Sequence, residues 1–282
     1  MPMSLDLSAV GFKTEPHQFD YDWKRAVLYA LGIGAGRDEL DLLYEGRGPR
    51  VFPTFPIVAA YPIMMELIER ARAPFRDVVH AGQTIRVLAA PAANGTFVTQ
   101  GTLHAIYDLK RMARLIFDTR TWQNDEPVCE MQWNLLVRTK GSFGGPRPPK
   151  AAAIVPPKES TPAFEITQPT SPVQALLYRL SGDLNPLHAD PELAREVGFE
   201  QGPILHGLCT LGFMARAVVR GACRGDERRL KAISAEFKKP VWPGETIQTR
   251  GFALESQKIA LTAFAAGRPE AIVSNSWAEV SG

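Results

Sequence analysis

The sequence predicts an α+β protein made of two related halves, not a chain of alternating βαβ units. Three observations predict it. A helix followed by a run of strand-like segments occurs twice. A proline-rich tract lies between the two runs. The second half holds a long stretch that is apolar on nearly every face, the mark of a helix buried on most sides. At 282 residues, with 45% hydrophobic and 22% charged, the chain is long enough for two ordinary domain cores.

In the first half, Trp23, Ala26, Val27, Ala30 and Leu31 recur at three- and four-residue steps, which predicts a helix over Tyr21 to Ile33. Gly32-Ile33-Gly34-Ala35-Gly36 supplies the glycine that a left-handed helix terminus needs. A second helical run covers Ala60 to Ala71. Strands are expected over Thr84–Ala89, Gly101–Leu109, Ala113–Trp122 and Val128–Thr139, most of them rich in β-branched or aromatic residues. In the second half a short helix starts near Asn185 and a longer one spans Leu205 to Arg220. Strands follow at Arg229–Phe237, Thr246–Glu255, Lys258–Ala266 and Ala271–Val280. An echo, Gly82-Gln-Thr-Ile85 against Gly244-Glu-Thr-Ile247, adds weak support for a duplicated plan.

Gly144-Gly-Pro-Arg-Pro-Pro-Lys150, then Pro156-Pro157 and Pro162, cannot sustain a ladder or a helix interior, so the boundary falls there. The expected division is 1–150, a linker over 151–163, and 164–282. Lys plus Arg is 32 and Asp plus Glu is 30, a net charge of +2, which argues against nucleic acid held by a broad basic field. Cys129, Cys209 and Cys223 form neither a disulfide framework nor a C-x-x-C metal pair. No apolar run reaches the roughly 18 residues of a membrane span. No secretory leader or C-terminal Ser-Lys-Leu address is visible, so a cytoplasmic protein is expected.

The most polar stretch in an apolar setting is Tyr178-Arg-Leu-Ser-Gly-Asp183-Leu-Asn185-Pro186-Leu-His188. Asp183, Asn185 and Pro186 suit a capping turn. Capping does not account for His188. On the first turn after Asn185, His188 would face the same point as Asp183, and a carboxylate and an imidazole sharing one water can act as acid and base. Gly207 in Pro203-Ile-Leu-His-Gly-Leu208 opens the long helix. Its N–H either allows close packing or stabilises an oxyanion. His206 beside it reads more readily as structural. Lys238 and Lys239, after a strand, read as a solvated strand end or as point charges for phosphates.

The run from Tyr178 to His188 resembles the defining motif of the R-specific enoyl-CoA hydratases, the hydratase 2 group of the MaoC-like superfamily. Pro203-Ile-Leu-His-Gly-Leu-Cys-Thr-Leu-Gly-Phe213 resembles the family's second segment. Leu28–Ala35, Pro53-Thr-Phe55, His80-x-Gly-Gln83 and Gly141-Ser-Phe-Gly-Gly145 are similar to the two-domain members, so the likeness spans nearly the whole chain. It implies a double hot dog fold, two antiparallel sheets each wrapped around a long central helix. The catalytic motif lies in the second half and is absent from residues 1–150, which would help to accommodate the acyl chain.

The resemblance implies Asp183 and His188 as the catalytic pair, Asn185 assisting the water, and the Gly207 amide as the oxyanion donor. It puts His80, Ala81, Lys110 and Phe237 at the thioester substrate, with Ala81 where the family usually has glycine; Lys238 joins them as a substrate contact on its charge alone. Gln201-Gly202 adds a residue to the loop before Pro203. The implied reaction is reversible hydration of trans-2-enoyl-CoA to (3R)-3-hydroxyacyl-CoA. It needs no metal and no cofactor beyond the coenzyme A of the substrate. A homodimer and a monomer both fit, since two hot dog units already sit in one chain. Rival readings are a dehydratase for branched, steroid-side-chain or polyketide thioesters, a non-catalytic acyl-CoA-binding protein, and a thioesterase. The loops Asn124–Pro127 and Arg37–Pro49 are candidates for setting chain length.

Overall fold

The computed structural model describes residues 5–150 and 152–282. The first half holds β1 (His17–Tyr21), α1 (Trp23–Gly32), α2 (Leu40–Leu43), α3 (Ile57–Arg70), β2 (Val78–Val87), β3 (Gly95–Asp108), β4 (Ala113–Gln123) and β5 (Glu126–Val137). The second holds β6 (Phe164–Pro169), α4 (Gln174–Tyr178), α5 (Pro191–Glu196), α6 (Gly207–Ala222), β7 (Leu230–Phe237), β8 (Thr246–Ala253), β9 (Lys258–Ala265) and β10 (Ala271–Val280). Between β5 and β6 the described residues form neither strand nor helix, as prolines dictate.

The sheet order is β1-β3-β4-β5-β2-β7-β10-β9-β8-β6, antiparallel throughout. Each half contributes five strands in the same internal order: first, third, fourth, fifth, second. The two expected sheets meet edge to edge. β2 pairs with β7 through Thr84↔Ser234 and Ile85↔Ile233, giving one ten-stranded surface. An exposed edge strand invites mispairing, and here each half covers the other's inner edge. The Gly-x-Thr-Ile echo falls on inequivalent places. Gly82 lies inside the second strand of its half, whereas Gly244 precedes the third strand of the other.

Each half wraps its sheet around its own long helix. Ile57, Ala60, Ile63, Met64, Leu67 and Ile68 of α3 are buried at helical spacing. In α6 every residue from Leu208 to Val219 is buried, as the all-round apolar pattern requires. α1 starts at Trp23 because Asp22 caps it, accepting from the Arg25 amide at 3.2 Å. Tyr21, expected in that helix, closes β1 instead. Gly34, at φ +83°, makes the left-handed exit. All three cysteines are free and buried. No described helix is long and apolar enough to cross a membrane.

Candidate active site

The site grows out of the chain between α4 and α6. After α4 a 3₁₀ turn over Arg179–Ser181 ends at Gly182, whose φ of +145° only glycine adopts readily, and the chain reverses into Asp183. Asn185 then caps a second 3₁₀ turn, Pro186–His188, accepting from the Leu187 amide at 3.0 Å. Proline at the first position fits, because that amide has no helical partner. Asp190 caps α5 in turn, accepting from Glu192 N at 2.8 Å. The capping reading of the motif is therefore correct, and it is also what aims Asp183 and His188.

His188 is 8% exposed and its Nδ1 donates to the Ile204 carbonyl at 2.8 Å. A carbonyl only accepts, so the proton sits on Nδ1 and Nε2 keeps a lone pair. Asp183 is half-buried and its Oδ1 accepts from the Asn185 amide at 3.2 Å. His206, the residue preceding α6, is 1% exposed and stacks on His188 with ring centroids 3.7 Å apart. His206 Nε2 donates to the Asp183 carbonyl at 3.2 Å, and its buried Nδ1 has no hydrogen-bond partner. Desolvation lowers the pKa of both histidines, and for His188 the nearby Asp183 carboxylate opposes that shift. Both rings are thus neutral near pH 7, and His188 can accept a proton.

Asp183, His188 and His206 each present one donor atom, all within 4.8 Å of one another. A carboxylate and two imidazoles at that spacing could hold a divalent cation. The stacking counts against it. Rings inclined by only 28° keep their in-plane lone pairs in nearly parallel planes, so the two do not converge on one ion. His206 belongs to this cluster more intimately than its sequence context implied. The signal was its place directly before the α6 glycine.

Gly207 is the first residue of α6, where an amide has no intrahelical acceptor and the helix end carries partial positive charge. A Cβ built on it would lie 3.0 Å from the Phe237 ring, so glycine allows that ring to sit over the helix start. Phe237 stands edge-on to His80 at 5.5 Å, and His80 stacks on Trp133 at 5.4 Å. His80 is held by Gly82 O and Gln83 Oε1, both at 3.1 Å, and desolvation pushes its pKa down to about 4. His80 and Phe237 thus join Gly207 in one wall that spans the β2–β7 seam. Ala81 sits at the bulge where β2 slips against β5, at ordinary negative φ, so glycine is not required there.

Three lysines near the wall or its strands are exposed. Lys110, at φ +73°, is an exposed residue in the β3–β4 connection, tied to Ser142 through its carbonyl and to Asp108 through its amide. None of these contacts reaches Asp183 or His188. Lys238 is exposed and pairs with Glu236 at 2.8 Å, and Lys239 pairs with Glu270 at 3.1 Å. The extra loop residue is absorbed locally. Gly202 takes φ +94°, its carbonyl accepts from the Trp242 indole at 3.2 Å, and Leu205 N is anchored on Val241 O at 2.7 Å. Asn124 and Asp125 both have positive φ, forming a tight two-residue hairpin turn at the end of the ladder away from His80.

Residues 154–272 match the MaoC like domain family, and residues 19–139 match the MFE-2 hydratase 2 N-terminal domain. The chain is 36% identical over 256 residues to the "Probable enoyl-CoA hydratase 2" of Dictyostelium discoideum, covering 88% of this chain and 87% of that one. It is 33% identical over 261 residues to "Enoyl-CoA hydratase 2, peroxisomal" of Arabidopsis thaliana, covering 85% and 84%. The crystal structure of a MaoC-like dehydratase from Phytophthora capsici superposes with a TM-score of 0.86 at 29% identity, covering 98% of both chains. A Mycobacterium tuberculosis protein described as having a double hotdog fold superposes at 0.56, with 11% identity and 94% and 95% coverage, a likeness of fold alone. With a doubled five-strand plan, two family matches that together span both halves and relatives along almost its full length, the chain belongs to the enoyl-CoA hydratase 2 family of MaoC-like hydro-lyases.

Proposed function

We propose that this protein adds water reversibly across the double bond of a trans-2-enoyl-CoA to give a (3R)-3-hydroxyacyl-CoA. The observation that carries the reading is the meeting of Asp183 and His188 within 4.8 Å, beside the stacked His206 that opens α6. A water held between the Asp183 carboxylate and His188 Nε2 loses one proton to this pair as its oxygen bonds C3. The C2–C3 π electrons move toward the thioester oxygen, where the Gly207 N–H donates to the growing charge. A proton from the same pair then reaches C2, and the atoms balance. Asn185 has its side-chain oxygen committed to the cap, which leaves its amide group to hold the water.

No metal or redox group enters these steps, and coenzyme A is part of the substrate. The aromatic wall of His80 and Phe237, with Ala81 beside it, supports a place for the thioester next to Gly207. Exposed and cationic, Lys110 and Lys238 suit the phosphates of coenzyme A. The half without the motif is read as host to the acyl chain.

The test is turnover of a medium-chain enoyl-CoA by purified, folded variants. Asp183→Asn and His188→Ala should each lose about 10²–10⁴-fold in kcat. Unchanged turnover in either removes the assignment. The hydration product should give no NADH with an S-specific 3-hydroxyacyl-CoA dehydrogenase, and a strong NADH signal would overturn the R assignment.

A further inference from the structure

We propose that Tyr61, on the central helix of the first half, is a positioning residue for the Asp183 carboxylate of the second. The proposal rests on the hydratase reading and deepens it, giving the half without the motif a direct part in the chemistry. Tyr61 lies within α3 and is half-buried, and its hydroxyl is a close electrostatic neighbour of the Asp183 carboxylate. One turn earlier on the same helix, Val58 lies against the reversal that precedes Asp183. A Cβ built on Gly182 would stand 3.4 Å from Val58 Cγ1 and 3.9 Å from the Val58 carbonyl oxygen. The start of α3 is therefore seated on the catalytic turn. Pro62 follows Tyr61 and has no amide to offer the Val58 carbonyl four residues back, which loosens the helical ladder where it meets that turn.

The phenol can only help as a donor, and its surroundings keep it one. Burial and the neighbouring Asp183 charge push its pKa above the usual phenol range. Asp183 otherwise holds a hydrogen bond from the Asn185 amide, on its own turn, to Oδ1. With the Tyr61 hydroxyl as a second donor within its reach, the carboxylate would be held from two elements in two halves, limiting its rotation and keeping it facing His188. A carboxylate that swings away from the water costs rate without costing substrate affinity.

The experiment is steady-state hydration by the full-length chain carrying Tyr61→Phe, which keeps the ring and removes the donor. kcat should fall about 10- to 100-fold, the worth of a hydrogen bond to a charged group, with KM within about twofold and unchanged melting. Wild-type kcat would overturn the proposal, and so would a rise in KM alone, which would make Tyr61 a substrate contact. Should the Phe variant fold poorly, Tyr61→Gln and Tyr61→Leu decide, the donor-bearing glutamine running at least about fivefold faster if the proposal holds. Equal rates in those two overturn it. Failure of the underlying reading looks different: wild-type protein inert toward enoyl-CoA, or Asp183→Asn fully active.

Discussion

The two halves carry the same turn and use it in opposite ways. Ala26-Val-Leu-Tyr29-Ala-Leu31 of α1 matches Ala175-Leu-Leu-Tyr178-Arg-Leu180 of α4 and its 3₁₀ turn, and Tyr29 and Tyr178 face each other with centroids 6.0 Å apart. In this correspondence Gly34 stands where the second half has Asp183, and Glu39 where it has His188. The second-half turn is faced by Tyr61 of α3. The first-half turn is faced by Phe213 and Arg216 of α6, and they fill it. A Cβ on Gly34 would lie 2.4 Å from the Phe213 ring, while Glu39 Oε1 accepts from Arg216 Nε at 3.2 Å and Ile33 O from Arg216 Nη1 at 3.2 Å. In one copy a carboxylate and an imidazole stand within 4.8 Å of each other. In the other the turn is filled by a ring and a guanidinium from α6.

That contrast predicts where stability and activity separate. Arg216 is 3% exposed, so removing its partner leaves a buried charge unpaired. Glu39→Ala or Arg216→Met should cost about 3–5 kcal/mol in a denaturant melt, while kcat of the folded protein stays within about twofold. The pair Glu39→Leu with Arg216→Met should recover most of that loss, because no charge is then stranded. A large kcat loss with intact stability would break the comparison, making the first turn a second catalytic element. Gly34→Ala follows at about 2–4 kcal/mol, from left-handed strain plus overpacking against Phe213. An unaffected melting curve would show that the turn is not filled as described.

Much of this was legible in the chain. Long elements with strong periodicity, such as α6 and β10, stand within two residues of their expected bounds, because burial on many sides leaves little choice of residue. Short edge elements were not. β1 and β6 are five and six residues long, rich in polar side chains, and hydrogen-bonded on one flank only, so neither alternation nor β-branching marks them. The motif from Asp183 to His188 shows in the sequence because capping and the proposed chemistry ask for the same residues there. Tyr61 was hidden, since a tyrosine among apolar helix positions reads as core until the fold shows that α3 rests on the other half's turn. The joining of two sheets into one was hidden for a related reason: edge-to-edge pairing of β2 and β7 uses backbone groups, which every sequence has.

Acid sharpens the comparison less strongly. His80, His188 and His206 of the candidate site are all held neutral by desolvation, whereas the filled turn contains no histidine. Their folded pKa values lie below the unfolded value near 6.5, so the unfolded chain binds more protons below that point. Stability is present above about pH 6.5 and is lost as pH falls from there toward the folded values, about 4 for His80. Between pH 7 and 5 this should cost on the order of 1–2 kcal/mol for His80. His80→Phe, which keeps a ring against Trp133, should flatten part of the fall in melting temperature. A wild-type melting temperature that does not move between pH 7 and 5 contradicts the buried, neutral state of these rings.

The smallest effect separates two jobs that one residue holds at once. Asn185 caps the turn through its side-chain oxygen, and its amide group is assigned to the water. Its counterpart in the filled turn is Gly36, which does neither: the Gly36 amide donates to Glu39 Oε2 at 3.1 Å instead. Serine caps about as well as asparagine, so Asn185→Ser should change stability by less than about 0.5 kcal/mol. The shorter hydroxyl cannot reach the water while it caps, so kcat should drop about three- to tenfold, the worth of one neutral hydrogen bond. If stability and kcat both hold, Asn185 is a cap and nothing more, and water placement falls to Asp183 and His188 alone. If stability falls together with kcat, the turn itself has shifted, and the rate loss then reports on the aim of His188, whose amide closes the turn on the Asn185 carbonyl at 3.2 Å.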